Sequence, residues 1–222
     1  MGKQSGLSVG NGSGFSVTGV PGSIFSTLNW TGSFSIEFWL CPAVVDNGET
    51  ILSWRSSRNV DGYPLYQILE ATFVKNHLQW NCTNLFTGYV ENNGEITLSG
   101  TKSVIPNKWS HHILSYDSET GLLEYRVNGL VEDLKYITIT GRERGGVYPL
   151  MLGNPAVLEI SPSYAGKIDD FRVLRNAISN TEDFFYQNQE NYQRGWTAVR
   201  YTVDGGSFIS KPLEVPVGSQ LT

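Results

Sequence analysis

Two adjacent aspartates interrupt a strand-like stretch, SYAGKIDDFRVLR, where its alternation of apolar residues changes phase. Ile168 belongs to one phase and Phe171 to the other, so both can face a core only if a β-bulge lies between them. The bulge turns Asp169 or Asp170 inward, where a carboxylate needs a hydrogen bond, an arginine or a cation. The sequence therefore leaves three roles open for this pair. They ligate a structural calcium ion, which takes oxygen ligands, they cap backbone amides, or they pair with Arg172 or Arg175.

Carboxylates could also perform hydrolysis, but their spacing here disfavours it. A retaining glycosidase needs two carboxylates roughly 5 Å apart on one face. Glu37 stands alone on its strand, and Asp169 and Asp170 are neighbours whose side chains point apart. We predict that no residue of this chain is catalytic. Release of reducing ends from β-glucans would contradict that prediction.

Aromatic residues in the polar phase of two strands indicate a binding surface. An exposed aromatic ring stacks on a sugar ring or anchors a protein partner. The predicted ligand-binding residues are Trp39, Trp80, Glu37, Tyr63, Phe86 and Tyr89. The alternative is that both tryptophans pack against a loop or against the C-terminal segment.

The histidines and cysteines offer little chemistry. His111 and His112 are neighbours on a strand, so their side chains diverge and cannot chelate one ion. Cys41 and Cys82 both lie in strand-like segments. Two free thiols are favoured over a cross-strand disulfide. A thiol titration with and without reductant would distinguish the two states.

The composition favours an all-β domain that is not basic. The chain has 222 residues, 24 glycines, 9 prolines and only 17% charged residues, and helix-forming segments are few. A net charge of −5 without a basic stripe disfavours nucleic acid as a partner. No run approaches the ~20 apolar residues of a membrane-spanning helix, so membrane insertion is not expected.

Short strands separated by turn residues recur along the chain. Residues 33–42 alternate most regularly, residues 108–128 form a hairpin that ends at Asn-Gly, and residues 55–62 read as a polar loop. Ser179 and Glu182 resemble a capping box, which predicts a short helix over residues 181–188. We predict a two-sheet antiparallel β-sandwich, a jelly roll, over residues 1–190. Residues 191–222 are a β appendage or the start of a following module.

Four segments together resemble the laminin-G-like, concanavalin A-like jelly roll, especially its bacterial, pentraxin-related modules. They are FSIEFWLCP at 34–42, ETILSW at 49–54, WSHHILSYDSETGLLEYRVNG at 109–129 and YAGKIDDFRVLRNAIS at 164–179. The resemblance implies two antiparallel sheets of six or seven strands, calcium in many members, and secretion, periplasmic location or surface display within a longer chain. It also implies a structural, hydrogen-bonded role for His111, which follows the tryptophan in the Trp-x-His segment.

Function is loosely constrained by such a resemblance, since members of this fold bind glycans, bind proteins or act as spacers. We expect a non-catalytic recognition module with a glycan as its ligand. A structural or adhesion module that contacts a neighbouring domain or protein is the first alternative, and a glycoside hydrolase of the same fold is the second.

Overall fold

Strands dominate the computed structural model, which describes residues 6–10, 14–18, 32–153 and 157–178. In chain order they are β1 (Gly6–Val9), β2 (Phe15–Thr18), β3 (Phe34–Pro42), β4 (Thr50–Val60), β5 (Tyr63–Val74), β6 (His77–Thr83), β7 (Glu95–Ser99), β8 (Ser110–Tyr116), β9 (Leu122–Val127), β10 (Leu130–Tyr136), β11 (Val157–Ile160) and β12 (Ala165–Leu174). A single 3-10 turn, Glu91–Gly94, accompanies them in these residues. Within the same ranges no helix has the length and apolarity needed to cross a membrane.

Two antiparallel sheets of six strands form the sandwich. Sheet 1 has the order β1-β12-β3-β8-β9-β10, and sheet 2 has the order β2-β11-β4-β5-β6-β7. Late strands such as β11 and β12 lie beside early ones, which are the long crossovers of a jelly roll. The all-β, two-sheet prediction is confirmed. The helix predicted over residues 181–188 and the appendage at 191–222 lie outside the described residues.

The inward phases of the two sheets meet in one core rich in aromatic rings. Phe38 of sheet 1 lies 6.1 Å, between ring centroids, from Trp80 of sheet 2. His112 stacks on Phe38 at 5.6 Å. It hydrogen-bonds through Nε2 with Ser110 Oγ at 2.7 Å and through Nδ1 with Tyr125 Oη at 2.8 Å. Burial lowers the pKa of His112 to about 3, so this ring is neutral at pH 7.

The predicted bulge in β12 is confirmed. Asp169 is opposite Trp39 of β3, whereas Arg172 is opposite Glu37, so β12 advances three residues while β3 advances two. Asp170, with φ of 50°, occupies the extra position. The irregularity allows Ile168 on one side of the bulge and Phe171 on the other to pack against the core.

The loop predicted at residues 55–62 is wrong, because β4 continues through it. The β4–β5 ladder runs without interruption from Leu52 opposite Ala71 to Val60 opposite Tyr63. Asp61 and Gly62, with φ of 52° and 86°, form the two-residue turn that such a hairpin needs. Beyond Ser56 the strand is half-buried or exposed. No apolar alternation therefore marks it in the sequence.

The outer side of sheet 1 is buried, and we call it the covered face. Its central residues are Ser35, Glu37, Trp39, His111, Ile113, Ser115, Glu124 and Arg126, each at most 5% exposed. Residues 176–178 lie across part of it: Ser35 Oγ donates to the carbonyl of Asn176 at 2.7 Å, and Arg126 Nη1 donates to that of Ile178 at 3.0 Å. This side of the sandwich is therefore closed to a large ligand.

The two cysteines lie in different sheets. Cys41 is half-buried on β3 and Cys82 is buried in the core on β6, and both are free thiols. The prediction of two free thiols is confirmed, since Cys41 and Cys82 form no disulfide in the structure.

Candidate functional site

The two tryptophans predicted as sugar platforms are buried, so that interpretation is wrong. Trp80 is 0% exposed and lies between the sheets. It belongs to the inward phase of β6, and the polar Gln79 and Asn81 form the outward phase. Trp39 is 1% exposed on the covered face, 5.0 Å from the His111 ring. Neither indole can reach a ligand while the sandwich is folded.

Glu37 and Phe86 are likewise inaccessible, which corrects two more predicted site residues. Glu37 is 1% exposed, and its Oε1 lies 3.0 Å from His111 Nε2. The structural role expected for His111 is thereby confirmed. Phe86 is 3% exposed and packs its ring 4.9 Å from Tyr116. These side chains hold the sandwich together.

Only the tyrosines of the predicted set remain accessible. Tyr63, at the start of β5, is 77% exposed. Tyr89 is half-buried, packs edge-on against Tyr148 at 5.6 Å, and donates its hydroxyl to Glu91 Oε2 at 3.4 Å. Partial burial, followed by the nearby Glu91 carboxylate, raises the pKa of Tyr89.

The described residues leave the outer side of sheet 2 uncovered, and we call it the open face. Leu69, Ala71 and Phe73 of β5 point into the core, so the alternate residues of β5 and of its neighbours point outward. The members of the open face are Ser53, Arg55, Ser57, Tyr66, Ile68, Glu70, Thr72, Gln79, Asn81, Thr83, Glu95, Thr97, Ser99, Val157 and Glu159. Except for Ser53, all are half-buried or exposed.

One row of the open face is organised around Glu70. Glu159, Ser53, Glu70, Asn81 and Thr97 lie opposite one another across five strands. Glu70 Oε1 accepts from Arg55 Nη2 at 2.7 Å and from Ser53 Oγ at 2.9 Å, and Arg55 Nε also donates to Ser53 Oγ at 3.2 Å. Three side chains on two strands are thus fixed relative to one another.

Asn81 organises a second cluster on β6 and β7. Its Oδ1 accepts from Gln79 Nε2 at 2.8 Å and from Thr97 Oγ1 at 3.3 Å. Ser99 Oγ in turn donates to Gln79 Oε1 at 3.4 Å. Asn81 Nδ2, with both of its protons, has no hydrogen-bond partner among the described residues. An amide that is oriented in this way presents donors at the centre of the sheet.

Apolar and aromatic surface borders these polar clusters. Ile68 lies in register between Arg55 and Thr83. Tyr66, 69% exposed, stands next to it on β5, and the 77% exposed Tyr63 follows at the end of the hairpin. Planar polar groups beside flat apolar surface can hydrogen-bond sugar hydroxyls and stack on the ring carbons at the same time.

A buried glutamine anchors the loops at the Tyr66 end of sheet 2. Gln67, 0% exposed, donates to the carbonyls of Asn84 and Met151 at 2.8 and 2.7 Å, and its Oε1 accepts from Gly153 N at 2.7 Å. These bonds tie the segments after β6 and before β11 to β5. The border of the open face is therefore fixed by the core.

The aspartates of the bulge are engaged within the protein. Asp170 Oδ1 accepts from Arg172 Nη2 at 3.2 Å, and Asp169 Oδ1 accepts from the backbone nitrogen of Asp170 at 2.8 Å. The predicted pairing with an arginine is confirmed for Asp170. No group of three or more His, Cys, Asp or Glu side chains able to hold a metal occurs in the described ranges. A calcium ion here would need backbone carbonyls as its other ligands, and the site stays a prediction.

The residues that form the open face were missed at the level of sequence. The sequence pattern predicts a loop at Arg55 and Ser57. It also places the binding surface at Trp39 and Trp80 and not at Gln79, Asn81 and Thr97. A signal for their orientation was present: Gln79, Asn81 and Thr83 alternate with three apolar residues, and Thr97 and Ser99 alternate with two. Such alternation marks the outward side of an antiparallel sheet.

Comparison with known proteins agrees with this architecture. Residues 11–182 match the family model Laminin_G_3, described as the concanavalin A-like lectin/glucanases superfamily. No curated protein matches the chain. Similar structures include the CBM40 of the Ruminococcus gnavus IT-sialidase bound to α2,3-sialyllactose, with a TM-score of 0.56 and 14% identity over 81% of this chain and 94% of that one.

Two further structures share the fold. The leech intramolecular trans-sialidase gives a TM-score of 0.56 and 14% identity over 90% of this chain but only 28% of its own. A heptameric SAP-like pentraxin from Limulus polyphemus gives a TM-score of 0.47 and 13% identity over 74% of this chain and 73% of its own. The family match covers most of the chain, and the two six-stranded sheets agree with it. The chain belongs to the concanavalin A-like lectin/glucanase superfamily, as a laminin-G-like jelly-roll module.

Proposed function

We propose that the chain is a non-catalytic carbohydrate-binding module whose glycan lies across the open face of sheet 2. The observation that carries the proposal is the hydrogen-bonded polar surface around Glu70 and Asn81, on the one broad sheet face that the described residues leave uncovered. The other face, which bears Trp39 and Glu37, is buried.

The polar side chains of the open face are ordered before a ligand arrives. Arg55 is held by Glu70 and Ser53, and Asn81 is held by Gln79 and Thr97. Binding therefore costs less side-chain entropy than it would with mobile residues. The second oxygen of Glu70 has no partner among the described residues, and together with the free Asn81 amide it offers an acceptor and donors for sugar hydroxyls.

The exposed Tyr66 supplies the apolar part of such a site. Tyr66 lies at one end of the polar rows, and an aromatic ring there can pack against the apolar face of a pyranose. Relatives in fold support a sugar as the ligand, since the Ruminococcus gnavus CBM40 is seen with sialyllactose. At 14% identity that similarity concerns the fold, and the residues named above must carry the specificity.

The arrangement of carboxylates supports a role in binding. Glu70 is engaged by Arg55 and Ser53 through the same oxygen. Its nearest carboxylate in the row, Glu159, is two strands away, about 10 Å at the usual strand spacing, which exceeds the separation used by retaining glycosidases. We further propose that the module works outside the cytoplasm, secreted, periplasmic or on the cell surface, beside other domains of a longer protein.

The proposal is tested by screening the full chain on a glycan array and measuring hits by calorimetry. Asn81→Ala and Arg55→Gln should each weaken binding by about tenfold or more, as expected for groups that hydrogen-bond the ligand. The matched control is Arg144→Gln, an exposed arginine in the turn after β10. An array without signal at high protein concentration, or variants that bind as well as the native chain, would contradict the proposal.

A second candidate, a module that contacts a protein or a neighbouring domain, is favoured by an apolar edge. Leu7 and Val9 of β1 and Phe15 and Val17 of β2 are between 51% and 75% exposed at the same edge of the sandwich. Beside them lies a cavity of about 270 Å³. Apolar surface of this kind marks interaction sites. Sedimentation of the native chain and of Leu7→Lys with Phe15→Lys tests self-association, and a monomer in both cases would remove a second copy as the partner.

A further inference from the structure

We infer that the open face selects uncharged glycans and rejects glycans that carry carboxylates, an inference that rests on the proposed function. Four charged residues belong to the face: Arg55, Glu70, Glu95 and Glu159. Three negative charges and one positive charge leave it with an excess of negative charge. An acidic sugar that lay across these strands would meet carboxylates on both sides.

The single arginine of the face is already paired with a carboxylate. Its Nη2 donates to Glu70 Oε1 at 2.7 Å, and its Nε donates to Ser53 Oγ at 3.2 Å. An incoming carboxylate that used the remaining N–H groups of Arg55 would lie beside the Glu70 carboxylate, whose charge offsets that of the arginine. The ion pair therefore orients Glu70 and adds no net positive charge to the face.

The three carboxylates of the open face, those of Glu70, Glu95 and Glu159, lie on different strands around its centre. Glu159 lies two strands from Glu70 in the same row, and Glu95 lies in the adjacent row on β7. At about 4.8 Å between strands, Glu70 and Glu95 fall within roughly 10 Å of Asn81, a distance comparable to the Debye length at physiological salt, whereas Glu159, three strands from Asn81, lies roughly 14 Å away. A negatively charged ligand at Asn81 is thus incompletely screened from Glu70 and Glu95.

The surroundings do not reverse this balance. Lys75 lies in the β5–β6 turn, and its backbone nitrogen donates to Asn47 in a turn that also carries Asp46 and Glu49. The whole chain has a net charge of −5 at pH 7, so the long-range field also repels anions. The uncharged polar side chains of the face are amides and hydroxyls, which both donate to and accept from sugar hydroxyls.

The test uses pairs of oligosaccharides that differ only in charge. Fragments of β-1,4-glucan and β-1,4-glucuronan of the same length, and methyl-esterified and de-esterified fragments of one galacturonan, are titrated into the full chain by calorimetry at low and physiological salt. The neutral member of any pair that binds should bind at least about tenfold more tightly, because like charges brought together cost affinity. The difference should shrink as salt rises.

Charge-neutralising variants locate the effect. Glu95→Gln with Glu159→Gln should raise the affinity for the acidic member severalfold relative to the affinity for the neutral member of the same pair. The control, Glu119→Gln with Glu143→Gln, removes the same two charges from exposed positions away from the face and should do neither. A native chain that prefers the acidic member, and loses it in Arg55→Gln, would overturn the inference and leave the proposed function standing. Binding of neither member of any pair would overturn both.

Discussion

Replacing Trp80 distinguishes most sharply between a core tryptophan and a ligand platform. The indole is 0% exposed and lies 6.1 Å from the Phe38 ring and 6.3 Å from the Tyr125 ring. Trp80→Ala therefore empties a volume between the two sheets that neighbouring side chains can fill only in part. We expect the folded state to lose stability, with any loss of binding following from unfolding.

The size of the effect follows from the burial. Replacing a fully buried tryptophan by alanine costs about 3–5 kcal/mol in transfer free energy and cavity formation. A domain of this size has about 5–15 kcal/mol of stability, so a large share of it would be lost. At roughly 2–4 °C of melting temperature per kcal/mol, Trp80→Ala should melt about 6–20 °C below the native chain.

Urea denaturation followed by circular dichroism measures this directly, since the backbone signal does not depend on the deleted indole. The control is Tyr66→Ala, which removes a 69% exposed ring from the open face and should change stability by less than about 0.5 kcal/mol while it weakens glycan binding. An unchanged urea midpoint for Trp80→Ala, together with lost glycan binding, would refute the assignment of Trp80 to the core.

Three further outcomes are expected. Burial raises the pKa of Cys82 to about 12 and also raises that of Cys41, so a thiol reagent should label Cys41 slowly in the native chain and Cys82 only after denaturation; equal rates would contradict this. Because burial lowers the pKa of His112 from 6.5 to about 3, only the unfolded chain takes up a proton there below pH 6.5. The contribution of the neutral His112 to the free energy of unfolding is complete above that pH and is lost as the pH falls towards 3. The urea midpoint of His112→Gln should therefore depend less on pH over this range than the midpoint of the native chain. If Asp169 and Asp170 hold calcium, the melting temperature falls in chelator and recovers with calcium, and an unchanged value would contradict the prediction.

The wrong site predictions have a common cause. Period-two alternation separates the two faces of a strand, but both phases of β3 are buried, one in the core and one on the covered face. Glu37 and Trp39 therefore looked amphipathic in the sequence and yet are closed off. On β6 the prediction chose the wrong side of the strand. Trp80 points into the core with Leu78 and Cys82, and Gln79 and Asn81 point outward.

The hairpin of β4 and β5 shows a different limit. Arg55 and Ser57 lie in a polar stretch that reads as a loop, because local side chains do not pack there. What holds these residues in a strand is the backbone ladder to β5, closed by the two positive φ angles at Asp61 and Gly62. Pairing between distant residues, which propensity does not record, placed Arg55 beside Glu70.

The sequence by itself determined the all-β class, the two-sheet sandwich, the bulge at Asp169 and Asp170 and the structural role of His111. These features depend on local alternation, turn residues and the cost of burying a charge, which can be read from neighbours in the chain. Only the tertiary structure decided which sheet face is covered and which is open. That choice depends on residues far apart in sequence, such as Arg126 with Ile178 or Glu70 with Asn81, because a face is closed or open according to what packs on it.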